Sequence, residues 1–320
     1  MIQAPVQTLP GGVFTIDTGY QRPGFAASHL IVSGGRGALV DVGTHHSVPR
    51  LLAALEVCGL GREEVDYVLL THVHLDHAGG AGALLRQLPR ARLVVHPRGA
   101  PHMIDPARLT ASATAVYGEA RFREEYGTLV PVPAARVRAV EDGSTLRLGE
   151  RELLFLDTPG HARHHVCIYD AHSRGVFSGD TFGLSYRDFD SERGAFIFPS
   201  TSPVQFDHAA MHASIDRLVA LHPRCFYLTH YGRVDNSPGL AAGLRRRLDH
   251  SIVLARRAAR AGTAQEAQAA LVAALGDYLM DEISGHGCGL SREQIWARIA
   301  LDVTLNAQGL LAYLEREARA

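Results

Sequence analysis

The sequence predicts an α/β (α+β) fold: two sheets packed face to face, helices outside, and a helical lobe at the end. Three observations carry this. Two successive sets of short β-rich runs each lead into helical periodicity, and from Leu240 onward the periodicity is helical alone.

In chain order, Val13 to Asp17, His29 to Ser33 and Ala38 to Val42 are short runs bounded by turn residues, which reads as an antiparallel meander. Val48 to Cys58 sets Leu51, Leu52 and Leu55 on one helical face and stops at Gly59 and Gly61. Val65 to Thr71 is a buried strand, Gly79 to Leu88 a short helix, and Leu93 to His96 a strand ended by Pro97. Residues 98–136 break this rhythm and read as an insertion, helical over Pro106 to Tyr126 and closed by Pro131 and Pro133; a lid or a pocket wall fits. The second set comprises Thr145 to Leu148, Leu153 to Asp157, Val166 to Tyr169 and Val176 to Ser178. A helix over Phe206 to Leu221 and a strand over Cys225 to Thr229 complete it. The tail reads as helices over Leu240 to Ala261, Ala264 to Met280 and Arg292 to Arg319, the last opened by a Ser291/Gln294 capping box.

At 320 residues and 46% hydrophobic, the chain can bury one large core plus an accessory lobe. A formal net charge of -1 makes no electrostatic case for nucleic acid or a membrane as main partner. Met1 to Val13 lacks a basic patch followed by an apolar run, and no stretch approaches the ~18 apolar residues of a membrane span. A cytoplasmic location is therefore expected. Cys58, Cys167, Cys225 and Cys288 are widely spaced and read as buried thiols in a reducing compartment.

The chemistry begins at Thr71-His-Val-His-Leu-Asp-His-Ala-Gly-Gly80, directly after a strand. At a strand end His72 and His74 point the same way, with Asp76 and His77 beyond the turn. One tetrahedral ion does not comfortably take four ligands from so short a loop, so two neighbouring metals are expected. Further ligands should follow other apolar strands. His161 does so in Asp157-Thr-Pro-Gly-His161, Asp180 in Ser178-Gly-Asp180, and His230 in Tyr227-Leu-Thr-His230.

Across residues 10–235 these four motifs, in this order, resemble the metallo-β-lactamase-fold hydrolase superfamily, specifically its glyoxalase-II-like branch. The resemblance implies an αββα sandwich with the site at one sheet edge. It also implies one ion on His72, His74 and His161, a second on Asp76, His77 and His230, and Asp180 bridging them. Residues 1–239 then form the catalytic domain, with the insertion at 98–136, and 240–320 a helical accessory region. Zinc is the first expectation for both divalent ions; iron and manganese suit the same donors.

Such a centre implies hydrolysis of an ester, thioester or lactone in a small-molecule substrate, the nucleophile being a hydroxide held between the cations. Asp76 would orient that nucleophile or take its proton. Asp41 resembles the family aspartate that supports a metal-bound histidine, His165 reads as a supporting or substrate-bonding group, and Tyr231 as a donor to the oxyanion. His45 and His46 read as a solvated loop. The aromatic residues from Phe182 to Phe206 either line an acyl pocket or fill core. After His161, Ala-Arg-His-His replaces the glyoxalase II pattern, which argues against glutathione thioesters; the insert and tail look more like quinolone-signal-response thioesterases. Two other classes remain. Arg245, Arg246, Arg247, Arg256, Arg257 and Arg260 would give a phosphodiesterase or nuclease a basic helix, although a solvated face reads better. A regulatory protein with a vestigial site would use the helical tail as its partner surface, and a homodimer through that tail suits either case.

Overall fold

The computed structural model describes residues 5–319; Met1 to Ala4, part of the N-terminal stretch read above, lie outside the described residues. The chain forms two compact units. The first comprises the residues up to Asp157 together with His164–Gly179 and Pro223–Arg233; the second comprises Thr158–Arg163, Asp180–His222 and the residues from Val234 onward.

In the first unit β1 (Val6–Leu9), β2 (Val13–Asp17), β3 (Ala27–Ser33) and β4 (Arg36–Val40) form an antiparallel meander. Then follow α1 (Val48–Val57), β5 (Val65–Leu69), α2 (Leu75–Ala78), α3 (Ala81–Gln87), β6 (Arg92–Val95), α4 (Ala100–Ile104), α5 (Ala107–Tyr117), α6 (Glu119–Tyr126) and β7 (Val137–Ala139). Strands β4 to β7 pair in parallel, completing a seven-stranded sheet in sequence order. The second sheet runs β13-β12-β11-β10-β9-β8, from β8 (Thr145–Leu148), β9 (Arg151–Asp157), β10 (Val166–Asp170), β11 (Gly175–Gly179), β12 (Cys225–Leu228) and β13 (Gly232–Asp235).

Period-two alternation divides the central strands between two apolar layers. Ile31, Val40, Leu69 and Val94 pack with Leu153, Phe155, Ile168 and Phe177 of the second sheet, closing the two sheets face to face. Their neighbours Leu30, Leu39, Val68 and Leu93 turn the other way, onto Leu51 and Leu55 of α1 and Leu84 and Leu85 of α3.

The second unit contains an aromatic segment, then α7 (His208–Ala220), α8 (Leu240–Ala258), α9 (Ala264–Gly285) and α10 (Arg292–Arg319). Leu244, Leu248, Leu271, Leu275, Ile295 and Ile299 supply its apolar interior. The Ser291/Gln294 box closes reciprocally at 3.0 and 3.2 Å. Phe182, Tyr186, Phe189, Phe196, Phe198 and Phe206 are all buried, so the core alternative describes them and the acyl-pocket alternative does not. Tyr186 donates to Asp302 of α10 at 2.9 Å, and Asn306 of α10 accepts from the Thr201 amide and donates to the Pro199 carbonyl, at 2.6 and 2.9 Å.

Several elements depart from the sequence expectation for local reasons. The strand read as Ala38 to Val42 stops at Val40 because Asp41 takes a positive φ of 50°. The insertion helix read as Pro106 to Tyr126 is two helices broken at Gly118. Strands β1, β7 and β13 and helix α4 are short and carry no apolar run or alternation that marks them in the sequence. None of the four cysteines is in a disulfide; Cys167 and Cys225 are buried, Cys58 and Cys288 only half-buried. Among the described residues no helix is long and apolar enough to cross a membrane.

Candidate metal centre

Strand β5 delivers the metal loop. The loop is itself helical in its second half: His74 caps α2, which sets Asp76 and His77 on one helical turn rather than in an open loop. The His77 carbonyl accepts the Val42 amide at 2.7 Å, tying that turn to the end of β4. The ring of His72 lies 4.5 Å from that of His74 and 4.0 Å from that of His77, and His77 lies 5.3 Å from His230, which follows β12. Donor atoms of Asp76, His77 and His230 all fall within 4.8 Å of one another. Asp76 Oδ2 is 3.2 Å from His230 Nε2 and 3.7 Å from His77 Nε2.

Asp41 stands behind this group. Fully buried, it accepts from the Thr71 amide at 2.9 Å, from Thr71 Oγ1 at 2.8 Å, from Thr229 Oγ1 at 2.7 Å and from His77 Nδ1 at 2.8 Å. That last bond puts the His77 proton on Nδ1 and presents the Nε2 lone pair to the ligand group. His72 follows by one further step. The Thr71 hydroxyl gives its single proton to Asp41, so at 3.0 Å it accepts from His72 Nδ1, and His72 also presents Nε2. His230 donates from Nδ1 to the Phe25 carbonyl at 2.9 Å, with the same result.

In the second unit His161 donates from Nδ1 to the Ser200 carbonyl at 3.3 Å, and its Nε2 lies 3.5 Å from Asp180 Oδ2. Ser200 Oγ donates to the same carboxylate oxygen at 3.1 Å. The structure thus gathers His72, His74, Asp76, His77 and His230 in one unit and pairs His161 with Asp180 in the other. Imidazole nitrogens with carboxylate oxygens, the rings of His72, His77, His161 and His230 held from behind, are a donor set that fits divalent zinc, iron or manganese.

His165 is fully buried and stacks on His72 with centroids 5.0 Å apart. Gly179 is required beside it: at φ +47° a Cβ there would come within 2.6 Å of both His165 Nε2 and Thr71 Oγ1. Tyr231 is half-buried next to His230. His46 is exposed and His45 half-buried, as a solvated segment should be, and they bond the Arg123 and Thr128 carbonyls at 3.2 and 3.0 Å, which moors the insertion.

Sequence reasoning missed three neighbours. His164 accepts the Val73 amide at Nδ1 and sits edge-on to His74, 5.9 Å between centroids. Tyr20 donates to Tyr126 of α6 at 3.1 Å, while burial and then the charge of Asp76 push its phenol well above the ordinary range. Neither tyrosine carries a local motif, and His164 was hidden in a run of basic residues. The basic helix loses most of its free charge: Arg245 pairs with Asp216, Arg246 with Glu282 and Arg256 with Glu317, while Arg247 is buried against the Phe196 ring at 4.1 Å.

Comparison with known proteins accords with this geometry. The metallo-beta-lactamase fold-containing protein ST1585 of Sulfurisphaera tokodaii is 29% identical over 176 residues, 54% of this chain and 62% of that protein. Its archaeal crystal structure superposes with a TM-score of 0.64 at 22% identity, covering 93% of this chain and 98% of the other, a likeness of fold. A hydroxyacylglutathione hydrolase of Aeromonas hydrophila is 31% identical over 57% of this chain and 52% of its own length. The acyl-coenzyme A thioesterase MBLAC2 of Gallus gallus is 28% identical over 54% and 63%. The chain therefore spans between about half and two thirds of the curated relatives it matches. The family model of the metallo-beta-lactamase superfamily matches residues 21–230, well over half of the chain, and the chain belongs to that superfamily.

Proposed function

We propose that the chain is a dinuclear metal-dependent hydrolase of carboxylic esters, thioesters or lactones, with thioesters the foremost class. One ion would be held by His72, His74 and His161 and the other by Asp76, His77 and His230, with Asp180 between them and zinc the foremost metal. The observation that carries this reading is the shared tautomer: His72, His77, His161 and His230 each have Nδ1 bonded behind the ring, so that Nε2 faces outward. Two relatives named for hydrolysis, one of them a thioesterase, support the substrate class.

Such cations supply Lewis acidity to an acyl carbonyl and lower the pKa of water beside it. The protein's own part is to place a carboxylate there. Asp76, with its side chain 24% exposed, is the acidic group that can reach that water and hold or accept its proton. Tyr231, half-buried beside His230, would donate to the carbonyl oxygen as charge builds on it. Asp41 and His165 would keep the ligand rings in register, Asp41 through its bond to His77 and His165 through its stacking on His72. Pairing of the α8 arginines leaves little basic surface for a phosphodiester, which disfavours the nuclease reading.

The test is metal analysis of protein purified without chelator, then turnover of an aryl ester, an acyl-coenzyme A, an acyl-homoserine lactone and bis-nitrophenyl phosphate. At least about two metals per chain and thioester turnover are expected. Asp76→Asn should lower kcat/KM by about 10²–10⁴-fold while the protein stays folded. Turnover that persists in metal-stripped protein, or cleavage of the phosphodiester alone, would sink the reading.

A further inference from the structure

The second unit carries another set of metal-ligating side chains that shares no residue with the ligands above. His208 opens α7 and His212 follows one turn later, so both rings leave the same helical face, with centroids 4.7 Å apart. From α8, Asp249 Oδ1 meets both rings, 2.8 Å from His208 Nε2 and 2.7 Å from His212 Nε2. An aspartate that merely capped one imidazole would need only one of these contacts. Here two imidazoles converge on a single oxygen, and the three donor atoms lie within 4.8 Å of one another.

The geometry points to a zinc site formed by His208, His212 and Asp249 that staples α7 to α8. In the metal-free form each Nε2–H donates to the carboxylate. On binding a divalent cation each neutral ring would carry its single proton on Nδ1 instead, which frees both Nε2 lone pairs beside the Asp249 oxygen and keeps all three donor atoms. With metal–nitrogen and metal–oxygen bonds of about 2.0–2.1 Å, a tetrahedral ion sets its ligand atoms about 3.3 Å apart, so the two Asp249 contacts, 2.8 and 2.7 Å, need lengthen by only about half an ångström each. The side chains are 27%, 25% and 55% exposed, which leaves a face for water as the remaining ligand and for entry of the ion. Arg245, one turn before Asp249, is turned to Asp216, one turn after His212, so its charge is answered there. The staple would join residues 41 and 37 positions apart in sequence, a closure present only in the folded chain, so binding must stabilise it.

The test uses the full-length holoprotein, dialysed to equilibrium against micromolar free zinc, with zinc per chain counted by mass spectrometry and Tm read on the same samples. The wild type should hold about one zinc more than a His208→Gln/His212→Gln double variant, and about one more than Asp249→Asn. Zinc should also raise the wild-type Tm by more than it raises that of either variant. Equal zinc counts across the three proteins, with equal Tm responses, overturn the proposal. Because the count is a difference between folded proteins with intact ligands elsewhere, it stands or falls independently of the hydrolase reading.

Discussion

His77 and His212 each bring an imidazole nitrogen to an aspartate, at 2.8 and 2.7 Å, but with opposite nitrogens. His77 engages Asp41 through Nδ1, so the carboxylate stands behind the ring and Nε2 is left to coordinate. His212 engages Asp249 through Nε2, so the carboxylate stands in front and is itself a prospective ligand. Burial follows the same division: the His77 and Asp41 side chains are 1% and 0% exposed, those of His212 and Asp249 25% and 55%. A buried charge must be satisfied wherever the ring points, and Asp41 is, by Thr71, Thr229 and His77 together. The lesson is that a prepared site is marked by what lies behind its ligands, not by the number of histidines.

The largest test of that distinction is Asp41→Asn. Asparagine tolerates the positive φ at this position, so the backbone need not move. Its amide offers hydrogens where donors already converge, and the charge that fixes His77 is lost. Metal affinity should fall about 10–100-fold, and the metal-free protein should lose about 3 kcal/mol of stability. Chelator competition and urea denaturation measure the two. An unchanged affinity would show that the backing carboxylate is only structural.

How far this was readable in advance depends on the residue. The loop from His72 to His77 announces itself, because four donors in six positions after a strand have few other uses. The turn of helix at Leu75–Ala78 is invisible in the sequence, being too short for periodicity, yet it aims Asp76 and His77. Asp41 was legible as a residue and not as a hub, since its partners Thr71 and Thr229 lie 30 and 188 positions away. Arg247 looks identical to Arg245 and Arg246 in a basic run, and only the fold separates it from them, by burying it over the Phe196 ring and against the Ile197 carbonyl. For the aromatic residues between Phe182 and Phe206, a core and an acyl pocket have the same composition, so burial alone decided.

His29 sharpens the comparison with a third arrangement. Its Nε2 donates to the Leu228 carbonyl at 3.0 Å and its Nδ1 accepts from Thr15 Oγ1 at 3.3 Å, so neither nitrogen is left for a cation or a proton. Burial between β3 and the rings of Phe177 and Tyr227 holds its pKa down at about 4, against 6.5 in the unfolded chain. Above 6.5 both states are neutral at this residue and it adds no pH dependence. Between 6.5 and 4 the unfolded chain takes up a proton that the folded chain refuses, so stability falls as pH falls. The total is about 3 kcal/mol. In urea titrations over that window His29→Gln should show a shallower loss than the wild type, and parallel curves would contradict the assignment.

The smallest effect belongs to the surface cluster without metal. With the side chain of Asp249 more than half exposed, its bonds to His208 and His212 exchange against water and are screened by salt. Asp249→Asn in zinc-free buffer should therefore cost at most about 1 kcal/mol at low ionic strength, and less at high salt. Denaturation curves at both ionic strengths measure it. A loss as large as that of Asp41→Asn would mean that a carboxylate in front of its rings can be as deeply committed as one behind them, and the division between the two clusters would fail. A small, salt-sensitive loss would leave Asp249 free to move the short distance that a cation requires.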